Sequence, residues 1–201
     1  MAVVSNGTTI IDAGALGSGV ATGKMILLAT QTASGSANLS FTSGIDSTYD
    51  SYVFKCIDIH PSASNPNFGF QVEVGTGTSY AQTITSTYFA GYQNEAGSTT
   101  GFGYISEQDQ AQGTGLQSLA DQIGNGNDES CAGVLHLFEP SSGTFVKHFT
   151  ARFQGYNGAD FSTDLHVAGY VNTTTALTRV QFKFSSGNID SGVIKMYGIG
   201  G

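Results

Sequence analysis

Strict alternation near the end of the chain constrains this sequence more than any other feature. Val180, Phe182 and Phe184 alternate with Gln181, Lys183 and Ser185, a period of two that gives a strand one apolar and one wet face. Ser185-Ser186-Gly187-Asn188 then supplies residues that tolerate positive φ, Gly192 allows a further bend, and Val193 to Ile199 reads as a second strand. The pattern predicts strand, turn and strand, a terminal hairpin. Such an ending needs partner strands to cover it, so earlier segments must build a closed or sandwiched sheet.

Those segments are present. Met25 to Ala29 reads as a mostly buried strand, with Ala37 to Phe41 as its antiparallel successor, and Tyr52 to Ile59 as a central strand. Phe68, Phe70, Val72 and Val74 alternate with Gly69, Gln71, Glu73 and Gly75. Tyr80 to Tyr92 suits a strand with one solvated face, and a short strand is expected near 101–106. Cys131 to Phe138 and Leu165 to Val171 read as further strands. Phe145, Phe149, Ala151 and Phe153 mark the inward face of another, with Lys147 on the same parity placed at the rim. One helix is expected near 115–124: Leu116, Leu119, Ala120 and Ile123 form an i, i+3, i+4, i+7 stripe, Thr114 and Gln117 a T-x-x-Q capping box, and Gly124 a terminating glycine. Roughly nine or ten strands without βαβ alternation predict an all-β fold, an antiparallel β-sandwich of jelly-roll type.

The chain has 201 residues, enough for one domain that buries about 70% of its unfolded surface. Residues 25–201 make that domain. Residues 1–24, rich in glycine and almost uncharged, cannot bury enough apolar surface to fold alone and read as an N-terminal arm. Val3, Val4, Thr9, Ile10 and Ile11 are strand formers in that arm. They are expected to pair with a neighbouring subunit or with the body by strand addition. Only 11% of the chain is charged and the net charge is −8. Seven scattered basic residues cannot form the clustered positive surface that nucleic acid requires. No signal peptide is legible at the N-terminus, and the longest apolar run, Met25 to Ala29, is too short to cross a bilayer. The expectation is a soluble protein made in the cytoplasm, with Cys56 and Cys131 as free, buried thiols.

No constellation for chemistry stands out. His60, His136, His148 and His166 are scattered; His136 and His148 could meet across a hairpin near Ser141, but two histidines on a polar sheet face is the preferred reading over a metal pair. No nucleophile elbow, zinc-protease helix or phosphate loop is framed by a strand and a helix. Paired carboxylates for glycoside cleavage converge only in three dimensions and have no sequence signature here. Asn125 to Glu129 offers oxygen ligands without the full calcium-loop spacing and reads as a turn. Six aromatic residues in or near polar loops, Tyr80, Tyr88, Tyr92, Tyr104, Tyr156 and Phe161, suit a protein interface first and a sugar-binding face second.

Several of these segments resemble small virion surface proteins of tailed bacteriophages of the marine and cyanobacterial type. They are Ser5 to Gly14, Phe41 to Ile59, Asn125 to Ser130, and the closing run from Ser185 to Ile199 with its Gly-x-Ile-x-x-Tyr-Gly-Ile pattern. No catalytic motif accompanies the resemblance. It implies a structural protein without enzymatic activity, cofactor or metal, assembled in the host cytoplasm and placed on the outer surface of the virion. The leading expectation is a capsid decoration or cement protein, a homotrimer whose arm binds the major capsid protein or another virion protein. The alternative is a tail-fibre or tail-spike component that binds host surface glycan. Neither nucleic acid nor membrane is an expected partner.

Overall fold

The computed structural model describes residues 2–12, 15–16 and 25–200. Among them every ladder is antiparallel and no helix occurs. Three short strands at the start, β1 (Val3–Ser5), β2 (Thr8–Asp12) and β3 (Ala15–Leu16), form a small sheet of their own in that order. Asn6 and Gly7, both at positive φ, make the β1–β2 turn. The other arm residues, 1, 13–14 and 17–24, lie outside the described residues.

The body is an antiparallel sandwich of two unequal sheets. In chain order its strands are β4 (Ile26–Thr32), β5 (Leu39–Phe41), β6 (Ser51–Pro61), β7 (Phe68–Val74), β8 (Ile84–Asn94), β9 (Thr100–Tyr104), β10 (Ala111–Gly113), β11 (Gln117–Ala120), β12 (Cys131–Phe138), β13 (Lys147–Asn157), β14 (Phe161–Val171), β15 (Leu177–Phe184) and β16 (Ile189–Ile199). The large sheet has nine strands, ordered β10-β8-β14-β13-β12-β6-β16-β4 with β9 also on β8, and the small one runs β11-β7-β15-β5. From β4 to β8 successive strands change sheet, the crossing habit of jelly rolls, although the split here is nine against four.

Between the sheets lies a core dominated by phenylalanine. Phe182 and Phe68 from the small sheet stack at 14° with centroids 6.0 Å apart. Across the gap Phe54 meets Phe182 at 5.4 Å and Phe149 meets Phe70 at 5.1 Å. Such tilted and edge-on pairs add to the burial of their area. Gly133 on β12 makes room for this packing: a β-carbon there would collide with the Phe153 ring and the Arg152 carbonyl. Gly133→Ala is expected to lower stability by about 1–3 kcal/mol, read from the urea midpoint. An unchanged midpoint would show that the Phe153 ring can yield.

Four expectations are corrected. The last two strands do not form a hairpin: β15 belongs to the small sheet and β16 to the large one. The link between them is an arch, held from outside by Ser185 N–H to Asn67 O and Ile189 N–H to Ser36 O, both 2.8 Å. Both strands point apolar residues into the same core, which an arch satisfies as well as a hairpin. Nor does β4 pair with β5; it is an exposed edge strand of the large sheet with Leu27 open to solvent, while β5 edges the other sheet. Gln31 closes the gap between them through Nε2 to Ser40 O at 2.7 Å.

The segment expected as a helix is the strand β11, whose four residues are all buried against β7. Its supposed capping residues serve tertiary bonds instead. Thr114 O accepts from Gln71 Nε2 at 3.2 Å, and Gln117 Oε1 accepts from Ser86 Oγ at 2.7 Å. A helix of about ten residues is marginal alone, and a half-formed sheet edge with unpaired carbonyls competes successfully for the segment. Finally, Lys147 is fully buried and Phe145, outside β13, is exposed. The strand's parity turns Lys147 inward, and its ammonium donates to the carbonyls of Phe145 (2.8 Å) and Thr173 (3.1 Å). Burial pushes its pKa down.

Candidate functional site

One face of the nine-stranded sheet packs on the small sheet, and the other has no layer over it among the described residues. Along β13 the alternation is plain: Phe149, Ala151 and Phe153 are buried, whereas His148, Thr150, Arg152 and Gln154 are exposed. The registers then fix which side chains become neighbours on that outer face. Phe89 of β8 lies opposite Tyr104 on one side and His166 on the other, and His166 lies opposite Arg152. One step along, Gly91 lies opposite Phe102 and Asp164, and Asp164 opposite Gln154. Side chains directly opposite in this way have Cβ atoms about 5 Å apart, so residues far separated in sequence form one contiguous surface.

At the β8–β9 edge this surface is aromatic. The Phe89 and Phe102 rings are nearly parallel at 10° and 6.2 Å, and Tyr104 meets Phe89 edge-on at 5.2 Å. Phe102 is 73% exposed, and its ring passes over Gly91, where an added β-carbon would stand 3.5 Å from it. The Tyr104 hydroxyl donates to the Asp109 carboxylate, and this bond raises its pKa. Next inward, Arg152 grips Asp164 with two bonds of 2.9 Å, Nε to Oδ1 and Nη2 to Oδ2. The Asp164 carboxyl is held at about 2, chiefly by the Arg152 hydrogen bonds and less by His166.

Beyond this pair the face opens into a polar trough of about 480 Å³, floored by Gln93, Ser162, Tyr156 and Gln154 and walled by Asn94, Glu95, Asp128 and Ser130. The Tyr156 hydroxyl donates to Glu95 Oε1 at 3.0 Å and lies 3.4 Å from Asp160 Oδ1. Acceptance by Glu95, more than burial, pushes the phenol up to about 12. A second recess lined by Arg152, Gln154 and Asp164 shares Gln154 with the trough, and another is lined by Phe89, Phe102 and His166. The arrangement sets donors and acceptors of both senses beside exposed ring faces. It brings no three His, Cys, Asp or Glu side chains together as a metal site among the described residues.

The six aromatic residues singled out from the sequence separate in space. Tyr104 and Tyr156 belong to the outer face. Tyr92 and Phe161, 6.0 Å apart, have the parity of the core-facing side, where Tyr92 is exposed and Phe161 half-buried. Tyr88 is fully buried; its hydroxyl donates to Asp121 Oδ1 at 3.1 Å, burial pushes its pKa upward, and it can meet no ligand. Tyr80 sits at φ 46° in the loop that caps Glu73, to which it donates its N–H. Phe89, Phe102, Gln93 and Gln154 were not singled out. β8 is aromatic on both parities, so its period cannot assign Phe89, while Phe102 between two glycines was the one available signal.

In the arm, Val3, Val4 and Ile11 are exposed and Thr9 and Ile10 half-buried. Cys56 and Cys131 are free and buried, and burial raises both thiols. His136 and His148 share the outer face but not a facing pair, since His136 lies opposite Thr150; His136 packs on Phe138 with ring centroids 4.0 Å apart. The Asn125–Glu129 loop is a turn closed by Glu129 N–H to Gly126 O at 3.0 Å, with the Gly126 N–H donating to the Glu129 carboxylate. No helix among the described residues is long and apolar enough to cross a membrane. Compared with known protein families and with characterised proteins, the chain matches no family model and no individual protein.

Proposed function

We propose that this chain is a structural protein of a bacteriophage particle, a capsid decoration or cement protein on the outer surface of the virion. The body supplies a rigid sandwich, three copies act together, and the arm fastens them to the major capsid protein or another virion protein. One observation carries this reading: among the described residues the three-stranded sheet β1-β2-β3 forms no ladder with the body and leaves Val3 and Val4 50% and 56% exposed. Apolar strand formers held outside their own domain gain most by pairing with, and burying themselves on, another chain. The mechanism is added buried area at subunit seams, and it needs no reacting group. The resemblance of the opening and closing segments to phage virion proteins supports the same assignment.

The test is attachment to shells. The double variant Val3→Asp, Val4→Asp keeps a folded body, because neither side chain is buried, and is expected to lose occupancy on capsids in a sedimentation assay. Full occupancy with both charges in place overturns the clamp. A second reading, a tail-fibre or spike component that binds host surface glycan, is favoured by the exposed Phe89–Phe102 pair beside the polar trough.

A further inference from the structure

We propose that the outer face of the nine-stranded sheet, from the Phe102 ring to the trough floored in part by Tyr156, is a binding site for a neutral oligosaccharide. The inference rests on the host-glycan reading and adds the site, its residues and the class of sugar. A pyranose presents two surfaces at once: a patch of C–H groups that packs on aromatic rings, and a rim of hydroxyls that both donate and accept hydrogen bonds. The face described above has both complements in order. Phe102 and Phe89 offer parallel exposed rings. Gln154 is shared by two recesses of about 440 and 480 Å³, within the range of small-ligand sites. Gln93, Ser162 and Gln154 supply amide and hydroxyl groups of both senses, and Glu95 and Asp128 supply acceptors for sugar hydroxyls.

Charge decides which sugars. The cation among these lining residues is Arg152, and both its Nε and Nη2 are committed to Asp164. Glu95 and Asp128 stand at the trough itself, Asp160 is next to Tyr156, and the whole chain carries a net charge of −8. A sialic or uronic acid would bring a carboxylate to a wall of carboxylates whose lining arginine is already paired with Asp164, and like charges at close range repel. Hexoses and N-acetylhexosamines carry no such penalty. Phe102 is also the side chain whose cost to the fold is least, being the most exposed large apolar residue of the body. Its exposure on a two-residue flank of glycines is accounted for if a ligand covers it.

The experiment is binding of the full chain to immobilised neutral oligosaccharides of hexose and N-acetylhexosamine, alongside sialylated and uronic-acid counterparts. Titration calorimetry follows on any neutral sugar retained. The expected result is retention of neutral sugars only, with affinity falling about ten-fold or more, a readily resolved change, in Phe102→Ala and again in Gln154→Ala. Phe145→Ala, an equally exposed phenylalanine outside the face, should leave it unchanged. Retention of a neutral sugar with equal affinity by Phe102→Ala and Gln154→Ala overturns the site while the host-glycan reading stands. Preference for acidic sugars overturns the assigned class. No retention of any sugar by the unmodified chain overturns site and reading together.

Discussion

Replacing Phe182 by alanine is expected to remove about 3–5 kcal/mol of stability, a large part of the roughly 5–15 kcal/mol that a domain has in total. The ring is fully buried and lies within 6.5 Å, centroid to centroid, of Phe41, Phe54, Phe68 and Phe70. Phe54 belongs to the large sheet and the others to the small one, so this side chain joins the two layers. Its removal opens a void against four rings that are themselves fixed by strand registers and cannot collapse into it. The measurement is the urea midpoint with an unchanged slope. A loss below about 1 kcal/mol would mean that the sheets close over the gap, contrary to the stiffness expected of a close-packed interior.

Glu73→Gln should produce the second large effect, with a dependence on pH that a packing defect lacks. Glu73 lies almost wholly buried on β7. Burial alone would raise its pKa, yet hydrogen bonds from Ser79, Val74, Tyr80 and Gln82 outweigh that penalty and hold it at about 2, against an ordinary 4.5. Ser79 Oγ and the Tyr80 N–H both donate to Oε2, at 2.6 and 2.9 Å. The Val74 N–H and Gln82 Nε2 donate to Oε1, at 2.9 and 2.8 Å. Because the folded pKa is depressed, the carboxylate's contribution is complete above about pH 4.5 and is lost as pH falls through about 2. The shift corresponds to about 3 kcal/mol at neutral pH. An amide in its place turns an NH₂ group toward existing donors, so the variant is expected to be less stable by about that amount at pH 6. The difference from the unmodified chain should shrink toward zero near pH 2. A gap of constant size across that window would show that ionisation of Glu73 is not what holds the 75–82 loop.

Much of the local structure was legible. The strand alternation in β7, the inward Phe149, Ala151 and Phe153 of β13, the density of apolar residues in β6 and β12, and the two buried cysteines all follow from which side chains avoid water, and each appears where the pattern put it. The polar parity of β7 does not face water. Gln71 and Glu73 sit where a solvated face was expected, yet both are buried. They keep hydrogen bonds to the loops that cover them, Gln71 to Gln82 O and Gly115 O at 2.9 Å each. A polar residue in an alternating run therefore marks a position that needs hydrogen-bond partners, and water is only one source of them.

Period and composition determined on their own that this chain is built of antiparallel strands and that its first residues differ in composition from its body. Partner choice came only with the tertiary structure. Alternation records which side of a strand is apolar and is silent on which strand lies beside it. β15 and β16 bury the same residues whether they pair or arch between sheets, and β11, buried on both faces, has no period to read. The outer face follows the same logic: Phe89, Phe102, Gln154 and Asp164 become neighbours only through the registers of β9, β8, β14 and β13. Register is set by long-range hydrogen bonding and core packing, quantities that no local window of sequence contains.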